Sequence, residues 1–438
     1  VISSHDGNGN IAPNKTGTVI IRSVSPTHSE PILNATTSGN NTNDNITFYN
    51  QSTLDPDDNK LKHIYNWYLN GTSIIVGNYP FEVGSNDTYT KDYSYLEGKN
   101  ATVYGATYNA TGGYDGLGAY EFDGINDNIK LNSTAIRTTQ YNGSITMWVK
   151  AANTSSVQGI FKTEENRNRF IYTSGDAFNA AMYDGSTFQV LTGGTADLNW
   201  HHVAFVWSIS NGNLELYVDG VLVDQHDAAR WTSAPDDSNP ETSLGNHSAF
   251  NSNIPARAAW NGSLDDVIIW NRSLTGDQVY ALFANRTNEI VFNETLPHQD
   301  WTVDVTVVDD GAVSRTLTSN VLTTLSNALP GINDFVFNSS DVSNYTNGTL
   351  SVNFTSSDGD GDSFVTWIDW FWNGVHNMTF ANATILSSEN TTKGENWTVV
   401  VASYDGIAYG INATQSIEIQ NAVPTQDLPI LKLHQQIT

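Results

Sequence analysis

The chain has 438 residues, of which 46 are acidic and 19 basic, for a formal net charge of −27. That field repels a phosphate backbone and an anionic lipid surface, so nucleic acid is excluded as a partner; divalent cations are the natural small ligands. With no cysteine at all, disulfides, thiolate metal sites and thiol nucleophiles are excluded, and no run approaches the ~18–20 apolar residues of a membrane span, so no membrane insertion is expected.

Period-two alternation broken by Asn-Gly, Asp-Gly and Gly-Gly turns dominates, and helical periodicity is nearly absent. Along the chain, Val1 to Asn10 is a leading segment, Asp55-Pro-Asp-Asp58 an acidic turn, and Asn66-Trp-Tyr-Leu-Asn-Gly71 a strand running into a turn. Alternating strands follow at Ser144–Val149, Leu214–Val218 and Trp301–Val307, with Asp219-Gly220 as a hairpin turn. Trp148, Trp200, Tyr217 and Trp270 fall on such strands and are expected in the core. His201 and His202 are adjacent on a strand, point to opposite faces and cannot chelate together. One short helix is predicted, Thr275 to Ala284, with Val279, Leu282 and Phe283 on one face.

An internal repeat organises the rest. Asp55, Trp67 and Asn70 recur 303 residues later in Asp358-Gly-Asp-Gly-Asp362 and Asp369-Trp-Phe-Trp-Asn-Gly374. Trp301-Thr-Val recurs 96 residues later as Trp397-Thr-Val, each copy ending in an Asp-Gly turn, Asp310-Gly311 and Asp405-Gly406. The junction Asn327-Ala-Leu-Pro330 returns as Asn421-Ala-Val-Pro424. The offsets differ by 207 residues, which an insertion into the first copy explains. The expected organisation is therefore an all-β chain of two immunoglobulin-like sandwiches, the first interrupted. The leading segment is 1–10; the first sandwich is 11–75 plus 288–327, around an insertion at 76–287. The second sandwich is 328–424, and a tail strand occupies 425–438.

The insertion carries Gly118-Ala-Tyr-Glu-Phe-Asp-Gly124, Ser144-Ile-Thr-Met-Trp-Val-Lys150, Trp200-His-His-Val-Ala-Phe-Val206, Leu214–Val223 and Gly262-Ser-Leu-Asp-Asp–Leu274. In this order it resembles the laminin-G-like, concanavalin A-like jelly-roll family. The resemblance implies a fold whose first and last strands lie side by side, as an inserted domain needs, and a carbohydrate- or surface-binding role. It also implies a metal role for Asp123 and Asp127; Asp265 and Asp266 match the closing motif, Asp265 as a buried hydrogen-bonding residue. The flanking copies resemble the immunoglobulin/PKD-like repeats of archaeal cell-surface glycoproteins. The lack of bridges points the same way, and the start at Val1 reads as a mature product or an excerpt.

Calcium is the expected cofactor, because carboxylates at alternate turn positions converge on one ion. Asp358, Asp360 and Asp362 have that spacing, Asp55 and Asp57 echo it, and Asp310 and Asp405 supply a further ligand each. Catalysis has no footing: no Glu-x-Asp-x-x-Glu strand, His-Glu-x-x-His helix or Gly-x-Ser-x-Gly elbow is present.

Asn-x-Ser/Thr sequons number 26, roughly twice what chance placement gives. Up to the repeat's interruption they are Asn14, Asn34, Asn40, Asn45, Asn50 and Asn70. The insertion adds Asn86, Asn100, Asn109, Asn132, Asn142, Asn153, Asn246, Asn261, Asn271 and Asn285. Beyond it lie Asn293, Asn338, Asn344, Asn347, Asn353, Asn377, Asn382, Asn390, Asn396 and Asn412. Covalent N-linked glycans and an extracellular, cell-surface location follow as expectations. The tail Leu428-Pro-Ile-Leu-Lys-Leu433 is one strand's worth of apolar chain. Leu428, Ile430, Leu431 and Leu433 are expected to add to a sheet of a second copy, joining subunits into a filament. The function expected is a non-enzymatic structural or adhesive surface glycoprotein whose partners are copies of itself and glycans on other surfaces. A dedicated carbohydrate-binding lectin module is the alternative, and a polysaccharide hydrolase a remote one.

Overall fold

A computed structural model describes residues 23–36, 39–94, 100–131, 141–154, 156–164, 169–183, 187–208, 212–227, 241–245, 258–422 and 424. The tail residues Leu428, Ile430, Leu431 and Leu433 and the sequons Asn14, Asn132 and Asn246 lie outside them. The fold is all-β. It forms two compact units: Val1–Thr36 with Asp44–Thr324, and Thr37–Asn43 with Leu325–Thr438. Seven residues from early in the chain thus belong with the second unit, where Asn41 pairs with Leu325, a placement no pattern in the sequence announces.

The two repeat copies share one pairing register. The strand Lys62–Leu69 lies antiparallel to Asp300–Val308, with Tyr65 opposite Val305 and Leu69 opposite Trp301. In the second unit Val365–Trp372 lies antiparallel to Asn396–Tyr404, with Ile368 opposite Val401 and Trp372 opposite Trp397. Each pair carries two buried tryptophans, Trp67 with Trp301 and Trp370 with Trp397. The indole of Trp67 donates to Thr287 O and that of Trp370 to Ala383 O. The turns match as well, Asn70-Gly71 and Asn373-Gly374 both having positive φ. A second, three-stranded sheet faces each pair.

Between Asn70-Gly71 and Thr287 the jelly roll intervenes. Its first strand, Ile75–Tyr79, pairs with its last, Asn261–Trp270, so the guest enters and leaves its host at one place. Two large sheets enclose a core that includes Ile145, Met147, Val149, Phe161, Phe205, Trp207 and Leu264. Along Asn142–Ala151 the alternate residues Thr146 and Trp148 point the other way yet are also buried. A host and a helix cover that second face. Ala204, Val206, Tyr217 and Trp270 of the jelly roll share one apolar cluster with Val279 and Leu282 of the helix and Trp67, Trp301 and Val303 of the host. Host and guest therefore form one unit. The helix spans Gly276–Phe283, capped by the Thr275 hydroxyl, which accepts from Gln278 N. Trp148, Tyr217 and Trp270 are buried as expected, and Trp200 only partly.

Candidate functional site

A cleft of about 590 Å³ opens where the host strand Lys62–Leu69 meets the jelly roll. The host lends Lys60 to Tyr65, the guest lends Tyr114, Asp115, Thr146, Trp148, His202 and Asp266, and the chain after the helix lends Asn285, Thr287 and Asn288. Tyr114 stacks on Trp148 with ring centroids 3.4 Å apart and planes within 9°. Behind them His202 packs edge-on against Trp148. Burial pushes the His202 imidazole down to about 4, so it is neutral at physiological pH, and its Nδ1 has no hydrogen-bond partner. His201, on the opposite face, is held by Asp219 and Asp197 at 2.8 and 3.1 Å.

One wall is a buried charge cluster. Lys62 Nζ lies 2.9 Å from Glu82, 2.9 Å from Asp115 and 2.7 Å from Asp266. Burial alone would lower the Lys62 pKa, but the charges of Asp266, Asp265, Glu82 and Asp115 outweigh it and hold the ammonium well above its ordinary value. Asp265, fully buried, accepts from Tyr114 N and Asp266 N, the hydrogen-bonding role expected of it. Burial lifts Glu82 to about 7, and burial reinforced by Asp266 lifts Asp265 well above the carboxylate range. Glu82 also accepts from Gly118 N at 3.0 Å. A Cβ at position 118 would sit 2.0 Å from the Phe81 carbonyl oxygen, which is why glycine opens that motif. Sequence reasoning missed Lys62, Glu82 and Asp115, which meet only because host and guest pack together.

The acidic residues expected to bind metal behave differently from one another. Asp123 and Asp127 close their own turn: Asp127 accepts from Asp123 N and Asp123 from Ile125 N. Asp55 spends both oxygens on backbone N–H groups, of Asp57 and Asn59. Asp57 accepts from Ser23 and Val24. Asp309, rather than Asp310, occupies the place of Asp405. Each accepts through Oδ1 from the two residues closing its turn, Gly311 and Ala312 in one copy and Ile407 and Ala408 in the other. The 96-residue offset of the Trp strands pairs Asp309 with Asp405, whereas matching the Asp-Gly dipeptides singled out Asp310; Asp310 is exposed and accepts from Asn59. In the second unit Asp358 Oδ1 accepts from the N–H groups of Asp360 and Asp362, Asp360 Oδ2 from Ala328 N, and Asp362 Oδ1 from Asn41. Asp358 Oδ2 and Asp360 Oδ1 are buried without a partner. Among the described residues no group of three or more His, Asp or Glu side chains is gathered as a metal-ligand set.

The sequons also sort by structure. Asn34, Asn50, Asn70, Asn285, Asn293, Asn338, Asn347, Asn353, Asn382, Asn390, Asn396 and Asn412 are exposed, almost all of them on the sandwiches. Of the described sequons on the jelly-roll strands and loops between Asn86 and Asn271, Asn100 alone is exposed. Asn45, Asn109 and Asn271 commit their amide nitrogens to Glu289, Glu121 and Ser73.

Residues 123–280 match the Laminin_G_3 family model, described as the concanavalin A-like lectin/glucanases superfamily. The inserted domain is thus a concanavalin A-like jelly roll. Among solved structures, the chain is similar to the Ruminococcus gnavus IT-sialidase CBM40 bound to alpha2,3 sialyllactose, at 15% identity and TM-score 0.32, over 38% of this chain and 95% of that one. It is similar to Trypanosoma rangeli sialidase in complex with the inhibitor DANA, at 13% identity and TM-score 0.35, over 49% of this chain and 34% of that one. A native heptameric SAP-like pentraxin from Limulus polyphemus matches at 17% identity and TM-score 0.27, over 42% and 84%. No curated protein matches in sequence.

Proposed function

We propose that this protein is an extracellular, N-glycosylated carbohydrate-binding protein without catalytic activity, its jelly roll held rigidly on a sandwich host for display at a cell surface. The observation that carries the reading is the composition of the cleft. A stacked Tyr114–Trp148 pair beside carboxylates, amides and an unpartnered neutral imidazole suits a ligand with apolar faces and many hydroxyls, which is what a sugar ring is. The lectin/glucanase description of the matching family agrees with it. The density of sequons supports the extracellular setting.

The test is a glycan array probed with the intact protein, followed by calorimetric titration of the retained sugar. Tyr114→Ala is expected to weaken binding about tenfold, the loss of one aromatic contact. A protein that retains no glycan at millimolar concentration would sink the reading, and release of a cleaved product would convert it to a hydrolase. Calcium is a second element of the proposal and is assigned to the Asp358–Asp362 turn alone, whose three carboxylates are not gathered as a ligand set in this structure and would have to close on the ion. Two buried carboxylate oxygens there lack donors, whereas both oxygens of Asp55 and the Oδ2 of Asp57 are already engaged. When bound, the ion would supply the positive charge those oxygens lack.

A further inference from the structure

The outer face of the Trp67 strand pair and that of the Trp370 strand pair are the same face of the same repeat, and they differ in what lies on them. In the first copy Ile64, Val308 and Val313 form a small cluster with Tyr93, a residue of the inserted segment. Asn66 on the same face donates to Tyr93 O and accepts from Asn78. The cluster is closed: Ile64 and Val308 are buried. By the shared register the counterparts in the second copy are Trp367, Tyr404 and Tyr409, and Tyr404 bridges Tyr409 as Val308 bridges Val313. Tyr409 packs on Tyr404 at 4.6 Å and edge-on against Trp367 at 6.1 Å. No guest is inserted here. Tyr409 is 65% exposed, Ile411 84% and Val365 60%. A patch of that kind on one sheet face needs a cover.

The cover is indicated at its rim. Trp367, Asp369, Tyr409, Ile411 and Asn412 line a shallow concavity of about 670 Å³. Asn412 heads the sequon Asn412-Ala-Thr414, both Asn412 and Thr414 are exposed, and among the described residues the Asn412 amide makes no hydrogen bond. We propose that Asn412 carries an N-linked glycan whose first sugar folds back onto Tyr409 and Trp367, so that sugar covers in the second sandwich the face the jelly roll covers in the first. The chemistry is that of a pyranose: its C–H face lies on an aromatic ring and its hydroxyls turn outward, with Asp369 at the edge as acceptor. Covalent attachment at the rim makes the contact intramolecular, so a weak stacking contact is enough to hold it. The inference rests on the N-glycosylated reading above.

The test is glycopeptide mass spectrometry of the protein from its own cells, combined with hydroxyl-radical footprinting of Tyr409 and Trp367. Two variants remove the sequon differently, Asn412→Gln and Thr414→Ala; Asn353→Gln removes an exposed sequon on the other sheet. Expected are sugar on Asn412, a several-fold rise in Tyr409 and Trp367 labelling in both sequon variants, and no change in the control. Sugar on Asn412 with unchanged labelling overturns the stacking and leaves the glycoprotein reading intact. A bare Asn412 beside sugar elsewhere overturns the assignment of this site, and a chain bare at every sequon overturns the glycoprotein reading itself. Protection that survives in both variants and disappears on dilution gives the face to a second copy and overturns the proposal.

Discussion

The two sandwiches carry the same strands in the same register, yet one has a charged, covered face and the other an apolar, open one. Lys62 and Val365 stand at the same register position, opposite Val308 and Tyr404 respectively. Lys62 pairs with three guest carboxylates, those of Glu82, Asp115 and Asp266; Val365 is exposed. The difference shows that the jelly roll is fixed to its host by more than its two chain crossings. The host strand contributes the one cation in the carboxylate cluster among the described residues, and removing it separates structural dependence from mere tethering.

The largest effect is expected from Lys62→Met. Losing the ammonium leaves Glu82, Asp115, Asp265 and Asp266 crowded without a counter-charge, and breaking a buried ion pair from one side typically costs about 3–5 kcal/mol. The first unit should melt well below wild type in urea or heat. The matching change in the second sandwich, Val365→Ala, removes an exposed side chain and should stay within roughly 0.5 kcal/mol. Equal, small effects at both positions would show that the cluster does not join host to guest.

Glu82 gives a smaller, pH-dependent version of the same contrast. Its pKa is about 7 in the folded protein against 4.5 ordinarily. Between those values the folded state holds more protons at this site than the unfolded chain, so stability falls as pH rises through the window, by on the order of 1–3 kcal/mol. Denaturation of the first unit should shift upward on acidification from pH 7 to about 5, and Glu82→Gln should flatten that slope. An unchanged slope in the variant would place the titration elsewhere.

How much of this could be read from the chain depends on the range of each interaction. The strand alternation, the Asn-Gly turns and the offsets of the Trp strands are local or repeated signals, and they lead to the register seen between Trp67 and Val303 and between Trp370 and Val399. The helix boundary was legible because Thr275 caps it. The cleft was not legible. Lys62, Glu82, Asp115 and Asp266 are spread along the chain and each looks like a solvated charge until two bodies close on it. The expectation at Asp310 followed the Asp-Gly dipeptide, although the 96-residue offset of the repeat pairs Asp309 with Asp405. Nor does a sequon reveal that Asn271 has its amide engaged with Ser73 while Asn412 is free.

The acidic turns offer the smallest and sharpest test. In the first copy every oxygen of Asp55 is met by a backbone N–H group. In the second, burial and a hydrogen bond with Asp360 raise the Asp358 carboxyl. Asp360 is held below the usual range despite its burial, by hydrogen bonds from Asp358 and Ala328. Two carboxyl groups set this close repel each other when both are ionised, and a divalent cation between them would relieve that repulsion. Free calcium at ten times its Kd would add roughly 1.4 kcal/mol to the second unit, lost on chelation and absent in Asp360→Asn. The first unit should be indifferent. Scanning calorimetry with and without chelator reads both units at once. A trace that chelation leaves unmoved at millimolar calcium would return the Asp358 turn to the status of its counterpart at Asp55, an acidic turn that organises only itself.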